Sequence, residues 1–201
     1  MPDRSYALGV KRAADLAAGV LGLLVTSPIQ AVAALAVLRT MGSPVLFRQE
    51  RTGKDGVSFT LYKFRTMRDD PGLADSARLT RVGRLLRRTS IDELPSLLNV
   101  VRGDMSLVGP RPLLPEYLPL YTPDQFRRHE VRPGMSGLAQ VSGRNLLLWE
   151  TQFALDVEYV DSWSLVLDLK ILLLTVLRVI RQDGISAPGE ATRSKFTGSL
   201  R

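Results

Sequence analysis

Asp92 and Glu93 are adjacent carboxylates in the stretch SIDELPSLLN. Carboxylates can attack as nucleophiles, move protons or hold a hard cation. Ser90 to Glu93 fits the Ser-x-x-Glu capping pattern, and Pro95 fits equally the first residue of a helix that begins later. The two placements conflict, because a proline two residues past Glu93 disturbs a helix started at Ser90. The later start is preferred. It leaves both carboxylates at or just before a helix N-terminus, where free N–H groups and a partial positive charge hold anions. For an arbitrary protein, simple capping is the ordinary reading of such a pair.

Cations surround the pair in sequence. In YKFRTM, Lys63 and Arg65 alternate with Tyr62 and Phe64, so both cations belong to one strand face. Arg111 stands between Pro110 and Pro112 after Gly109, a strongly constrained position for a side chain suited to bidentate phosphate binding. A glycine-rich run, RPGMSGLAQVSGRN, carries Arg132, Gln140, Arg144 and Asn145. Arg78, Arg81, Arg84, Arg87 and Arg88 recur at near-helical spacing opposite Leu79, Val82, Leu85 and Leu86, the pattern of a basic amphipathic helix. Such a helix suits an anionic membrane surface or a phosphate site.

The rest of the chain must position these groups. Its 201 residues, 45% of them apolar, suffice for one domain with a core. The net charge of +7 calls for anionic partners. With no cysteine and a single histidine, His129, thiolate chemistry and multi-histidine zinc are excluded. Any metal sits on oxygen ligands, which suits magnesium or manganese. No residue from Leu16 to Leu38 is charged, enough to cross a bilayer as a helix. The run is too long for a signal peptide. Basic residues flank both ends: Lys11 and Arg12 before, Arg39, Arg48 and Arg51 after. Ser27 and Pro28 lie in its middle. A helix broken there, with Ser27 bonding freed carbonyls, could enter the membrane and return to the same face. Asp15 is expected to pair with Arg12. Residues 43 to 65 read as a β-hairpin around Gly-Lys-Asp-Gly. Residues 162 to 180 contain Asp168, Lys170 and Arg178 and form an interfacial or a core helix, with Trp149 and Trp163 as headgroup anchors. The tail beyond Asp183 reads as loop. The expected fold is therefore α+β and mainly helical. By the residues alone the apolar segment within residues 1–40 is a re-entrant hairpin, a straight span or a buried core helix. Residues 41–201 form one compact domain with amphipathic interfacial helices and a small β-hairpin.

Taken together, these segments resemble the small monotopic phosphoglycosyl transferases, the bacterial sugar transferases. The resemblance runs through KRAAD (11 to 15), Ser27-Pro28, FRQERTGKDG, YKFRTM, DELPSLLNVVRGDMSLVGPRPLLPEYLPLY, VRPGMSGLAQVSGRN, LDVEYVD and LDLKILLLT. The short length and the LPLY run look most like the enzymes acting on UDP-N,N′-diacetylbacillosamine and related acetamido sugars. The resemblance implies the re-entrant membrane hairpin within residues 1–40 and makes residues 41–201 the catalytic unit. It also implies a mechanism. Asp92 attacks the β-phosphate of a UDP-sugar, UMP leaves, and polyprenol phosphate takes the phosphosugar from the aspartyl intermediate. Magnesium is required, with Asp92 as its protein ligand, and Glu93 assists with metal, proton transfer or acceptor positioning. Lys63, Arg65, Arg88, Arg111, Gln140 and Arg144 are the candidates for substrate and phosphate binding. The implied place is the cytoplasmic face of the bacterial inner membrane. The partners are UDP-sugar, polyprenol (undecaprenyl) phosphate and membrane lipids, not nucleic acid; there is room for a homo-oligomer. Galactose- or glucose-phosphate transfer within the same family, and a non-catalytic basic membrane-surface protein, are the competing accounts.

Overall fold

The computed structural model describes residues 4–70, 72–143, 147–181 and 195–198. Helix α1 spans Arg4–Met41 and runs through Ser27 and Pro28 as one helical element. The interruption expected there is not seen, and the reason is local. Proline at 28 frees the carbonyl of Leu24, four residues earlier, and the Ser27 hydroxyl donates to that oxygen at 2.8 Å. The outer face of α1 is apolar and bare: Leu21, Leu24, Val25, Ile29 and Val32 are each more than half exposed.

Both halves of α1 nevertheless grip the rest of the protein. Near its start, the Arg12 guanidinium donates to the carbonyls of Val100 (2.6 Å) and Val101 (2.8 Å). Asp15 is buried and accepts from the Leu107 amide at 3.1 Å. The expected Arg12–Asp15 pair is thus replaced, because each group meets an unpaired backbone partner that needs it more. Lys11 reaches Asp168 at 2.5 Å, and Asp168 also accepts from Tyr159 and Trp163. Near the other end, Ala33 and Val37 join Phe64 and Leu86 in one buried cluster. Val37, Phe64 and Leu86 each contribute roughly 1.5–3 kcal/mol when fully buried.

Strands β1 (Leu46–Thr52) and β2 (Ser58–Phe64) form the expected hairpin, with Leu46 opposite Phe64 and Thr52 opposite Ser58. The basic segment is divided. Helix α2 covers only Asp75–Arg78, and α3 starts afresh at Arg81–Arg88 with Thr80 as its cap, accepting from the Gly83 amide. Gly83 permits this helix to lie against the end of β2, since a Cβ there would meet the Thr66 carbonyl oxygen at 1.9 Å. A 3-10 turn, Ile91–Ser96, leads into α4 (Leu97–Arg102). Pro95 sits inside that turn rather than starting the α-helix, because the turn needs no α-type bond from the proline nitrogen.

Strand β3 (Ser106–Val108) pairs in parallel with β4 (Gly134–Ser136), and the Arg111 loop emerges from β3. Helix α5 (Pro123–Phe126) opens with a capping box from Thr122 and Gln125. Helices α6 (Leu138–Ser142), α7 (Trp149–Ser162) and α8 (Leu165–Arg181) complete the described chain. Helix α8 resolves the interfacial-or-core alternative both ways: Ile171 and Asp168 are buried, while Val166, Leu169, Leu173 and Val176 are exposed. The two tryptophans turn inward. Trp149 stacks on Phe153, and the Trp163 indole donates to Asp168 at 3.2 Å. The tail beyond Asp183 lies largely outside the described residues.

His129 is buried with its Nδ1 against the Gly53 carbonyl (3.0 Å) and its Nε2 facing no partner among the described residues. Burial, and then the neighbouring Arg128 charge, pull its pKa down to about 4 against the pull of that hydrogen bond. Between roughly pH 6.5 and 4 the unfolded chain takes a proton that the folded chain refuses, so stability falls as pH drops through this window. A shift of this size corresponds to at most roughly 3 kcal/mol. Thermal midpoints of the wild type and His129→Gln, measured from pH 7 to pH 4.5, should converge as pH falls; parallel curves would contradict this.

Candidate active site

Asp92 and Glu93 lie in the 3-10 turn, directly after Ser90, whose backbone is left-handed (φ 56°). Ser90 makes no side-chain cap bond. The Glu93 carboxylate is turned away from the helix end: its Oε1 accepts from Lys63 Nζ at 2.6 Å and from Arg111 Nη2 at 3.3 Å. The pair therefore does not cap by the Ser-x-x-Glu pattern. Lys63 comes from β2, Arg111 from the loop after β3 and Glu93 from the turn between α3 and α4. Three segments distant in sequence meet at one carboxylate.

A small open cleft lies beside this contact. Arg51, Lys63, Arg111, Glu93, Ser96 and Met135 are among its walls. Three cations face one carboxylate, so the cleft carries net positive charge and suits a polyanion. Glu93 lines it; Asp92, its neighbour in the turn, is not among the lining residues but feels the charges of Lys63, Arg87 and Arg111. Arg87 Nε donates to Thr66 Oγ1 at 3.0 Å.

Burial and then the Glu93 charge push the Asp92 carboxyl up to about 6, against the pull of Lys63, Arg87 and Arg111. Burial also disfavours the Glu93 charge, but Lys63 and Arg111 together hold its carboxyl well below the usual range. Lys63 is itself pulled down by burial, which its contact with Glu93 only partly offsets. Two adjacent carboxylates thus have opposite characters. Glu93 is a fixed anion that organises the cations, and Asp92 is the less tightly paired and more basic of the two.

The other candidates divide. Arg65 is drawn off to the end of α1, where its guanidinium donates to the Met41 and Gly42 carbonyls. Residue 65 lies just past β2, so the strand alternation that pairs it with Lys63 no longer applies. A helix C-terminus presents unpaired carbonyls that an arginine satisfies well. Arg65→Ala is therefore expected to lower the thermal midpoint, by roughly 2 kcal/mol of stability, and to leave kcat/KM within about threefold of wild type; a hundredfold kinetic loss in a stably folded variant would return Arg65 to the site. Arg88 is exposed on α3, and it is Arg87, one position earlier, whose field reaches Asp92. Gln140 stands beside the cleft wall rather than in it, its side-chain amide 3.4 Å from the Met135 carbonyl. Arg144 lies outside the described residues. Arg51 and Arg87 are the contributors that sequence reasoning did not single out.

For a metal, the carboxylates available are the Asp92–Glu93 pair; no group of three or more His, Asp or Glu side chains gathers among the described residues. One Glu93 oxygen is already engaged by Lys63 and Arg111. Asp92 together with phosphate oxygens of a ligand matches how magnesium is usually held, with few protein carboxylates.

Comparison with known proteins is decisive. The family model described as bacterial sugar transferase matches residues 6–182, from α1 through α8. The chain belongs to the bacterial sugar transferase family. An uncharacterized sugar transferase, EpsL, of Bacillus subtilis is 56% identical over 195 residues, covering 94% of this chain and 96% of the relative. A UDP-glucose:undecaprenyl-phosphate glucose-1-phosphate transferase of Caulobacter vibrioides is 44% identical over 86% of this chain and 70% of its own length. The transferase of the same description from Escherichia coli is 40% identical over 84% of this chain, which spans 40% of it. This sugar transferase is a bacterial phosphoglycosyl transferase, an enzyme that moves phosphate-containing groups.

Proposed function

We propose that this enzyme transfers a sugar 1-phosphate from a UDP-sugar to polyprenyl phosphate and releases UMP, by way of a covalent aspartyl intermediate on Asp92. The observation that carries the reading is the turn itself, with one carboxylate locked by Lys63 and Arg111 and a more basic one beside it at a positively charged cleft. Arg51, Lys63 and Arg111 hold the donor's diphosphate and shield its charge from the attacking carboxylate. An Asp92 oxygen bonds to the sugar-bearing β-phosphorus, and the bond from that phosphorus to the bridging oxygen breaks. UMP leaves with the electron pair. An oxygen of polyprenyl phosphate then attacks the same phosphorus and returns Asp92 as a free carboxylate. A magnesium ion held by Asp92 and the donor phosphates would supply charge neutralisation on the phosphate oxygens.

Relatives with a named sugar act on glucose or galactose. The LPLY run behind the acetamido-sugar expectation does not line the cleft; its Tyr121 stacks in an aromatic cluster with Phe153 and Phe196. UDP-glucose and UDP-galactose are therefore the first donors to test, with a UDP-acetamido sugar in the same panel. With undecaprenyl phosphate and magnesium, one donor should give UMP and a polyprenyl diphosphosugar. Release of UDP instead would mean sugar transfer without phosphate, and no product from any donor would favour a non-catalytic surface protein.

Topology follows from how α1 is held. Its uncharged run, residues 16–38, is about 35 Å as a straight helix, enough to cross a ~30 Å hydrocarbon core; what speaks against a crossing is how the helix is held. Both halves contact the catalytic unit: Arg12 and Asp15 meet α4 and β3, and Ala33 and Val37 meet β2 and α3. A water-facing catalytic unit cannot grip both ends of a helix that crosses the bilayer between them. On this reading the bare face around Leu24, Val25 and Val32 lies in one leaflet, with the catalytic unit on the cytoplasmic side, where UDP-sugars are. Tags at either terminus should resist an impermeant reagent applied outside the cell; labelling of the N-terminal tag alone would establish a crossing helix.

A further inference from the structure

The loop that carries Arg111 is pinned along its backbone. The Val108 carbonyl accepts from Lys11 Nζ (3.2 Å) and lies 3.1 Å from the Tyr159 hydroxyl, whose single proton it shares with Asp168 (2.7 Å). The Gly109 amide donates to the Ser136 carbonyl at 2.8 Å, and the Pro110 carbonyl accepts from the Gly134 amide at 2.9 Å. The Arg111 carbonyl accepts from Arg128 Nη2 at 2.7 Å. Arg128 is held in turn by Asp156, whose Oδ2 takes its Nε at 3.0 Å and its Nη2 at 2.7 Å.

Both side chains of that ion pair are only 1% exposed. Neither can touch a substrate. Nor is stability a sufficient reason for them, since buried ion pairs are often replaced by apolar residues at no loss. What an apolar pair could not do is occupy the Arg111 carbonyl. Asp156 and Tyr159 are three residues apart on α7 and share a face. That face holds the loop at Val108 directly and at Arg111 through Arg128. The Arg111 side chain then emerges from a fixed backbone toward Glu93.

We infer that Arg128, held by Asp156, is a positioning residue that sets Arg111 against Glu93 and the donor's diphosphate. The inference rests on the assignment of Arg111 to phosphate binding made above. A misplacement of about 1 Å in a group that must meet a transferring phosphoryl centre can cost on the order of 100-fold.

The test is a coupling measurement. The double variant Arg128→Met/Asp156→Leu keeps the site filled and removes both charges. It should retain a cooperative melt and lose on the order of 100-fold in kcat/KM for the UDP-sugar. Introduced into Arg111→Ala, the same pair of changes should cost less than about threefold more, because it acts through a side chain already gone. A merely structural role would give equal losses in both backgrounds, and that result, or full activity in the wild-type background, overturns the inference. Should the double variant not melt cooperatively, Arg128→Lys serves in the same two backgrounds by the same criteria: it keeps the charge beside Asp156 but lacks the planar fork that serves two oxygens at once. A fully active Arg111→Ala would sink the phosphate-binding assignment itself. An impaired Arg111→Ala with uncoupled losses would sink only the role of Arg128.

Discussion

Replacement of Asp92 by asparagine is expected to reduce turnover by at least about 1000-fold while leaving the protein at least as stable as the wild type. The two halves of this expectation have one cause. Burial and the adjacent Glu93 charge push the Asp92 carboxyl up to about 6 from an ordinary 3.8. A folded-state value above the unfolded one means that at neutral pH the charged form is held at a cost in stability. The neutral amide removes that cost and also removes the attacking oxygen. Steady-state UMP release beside a thermal melt reads both. A variant within tenfold of wild-type turnover would show that Asp92 is not the nucleophile, and a large drop in melting temperature would show that its charge supports the fold.

Lys63→Met carries the second large effect. Methionine fills the space of the lysine stem without its charge. The variant leaves Glu93 with Arg111 alone, and the cleft loses one of three cations. Loss of a charge-stabilising donor aimed at a reacting phosphate is expected to lower kcat/KM by roughly 100- to 1000-fold. Without Lys63, the burial of Glu93 is opposed by one cation fewer, so its carboxyl moves up toward the ordinary range. If Lys63 acts partly through Glu93, Lys63→Met and Glu93→Gln should be non-additive: the double variant should lose far less than the product of the two single losses. Fully multiplicative losses would mean that the two side chains serve separate tasks.

The elements with strong local signals were legible from the sequence. The apolar run of α1 and the hairpin around Gly53–Gly56 stand where periodicity and turn chemistry put them, whereas Asp92 and Glu93 lie in a 3-10 turn and not at the start of a helix opened by Pro95. Lys63 and Arg111, which the structure brings together at Glu93, are legible in the sequence, one from strand alternation and one from its flanking prolines. Alternation was trusted one residue too far at Arg65, beyond the end of β2. The same alternation holds the signal for Arg51. In the antiparallel register Arg51 opposes Phe59, and residues 59, 61 and 63 share a face. Counting outward from the turn puts Arg51 on the face of Lys63. Arg87 against Arg88 is a matter of 100° of helix rotation, set by the close approach of Gly83 to Thr66 that a periodic reading cannot register. Arg12 and Asp15 were paired on helical spacing, yet each went to a backbone group of α4 or β3. Tertiary partners of that kind carry no local pattern. The Arg128–Asp156 contact is of the same sort, joining residues 28 apart in the chain.

The most direct measurement omits the acceptor. Purified enzyme, magnesium and a donor from the UDP-sugar panel are mixed without polyprenyl phosphate, and the protein is weighed intact and then as peptides. The expected result is a mass increase equal to one sugar phosphate less one water, an equal amount of UMP, location of the adduct on the peptide bearing Asp92, and its disappearance when polyprenyl phosphate is added. UMP that forms only when the acceptor is present, with no adduct at any time, would mean direct displacement between the two substrates and would contradict it.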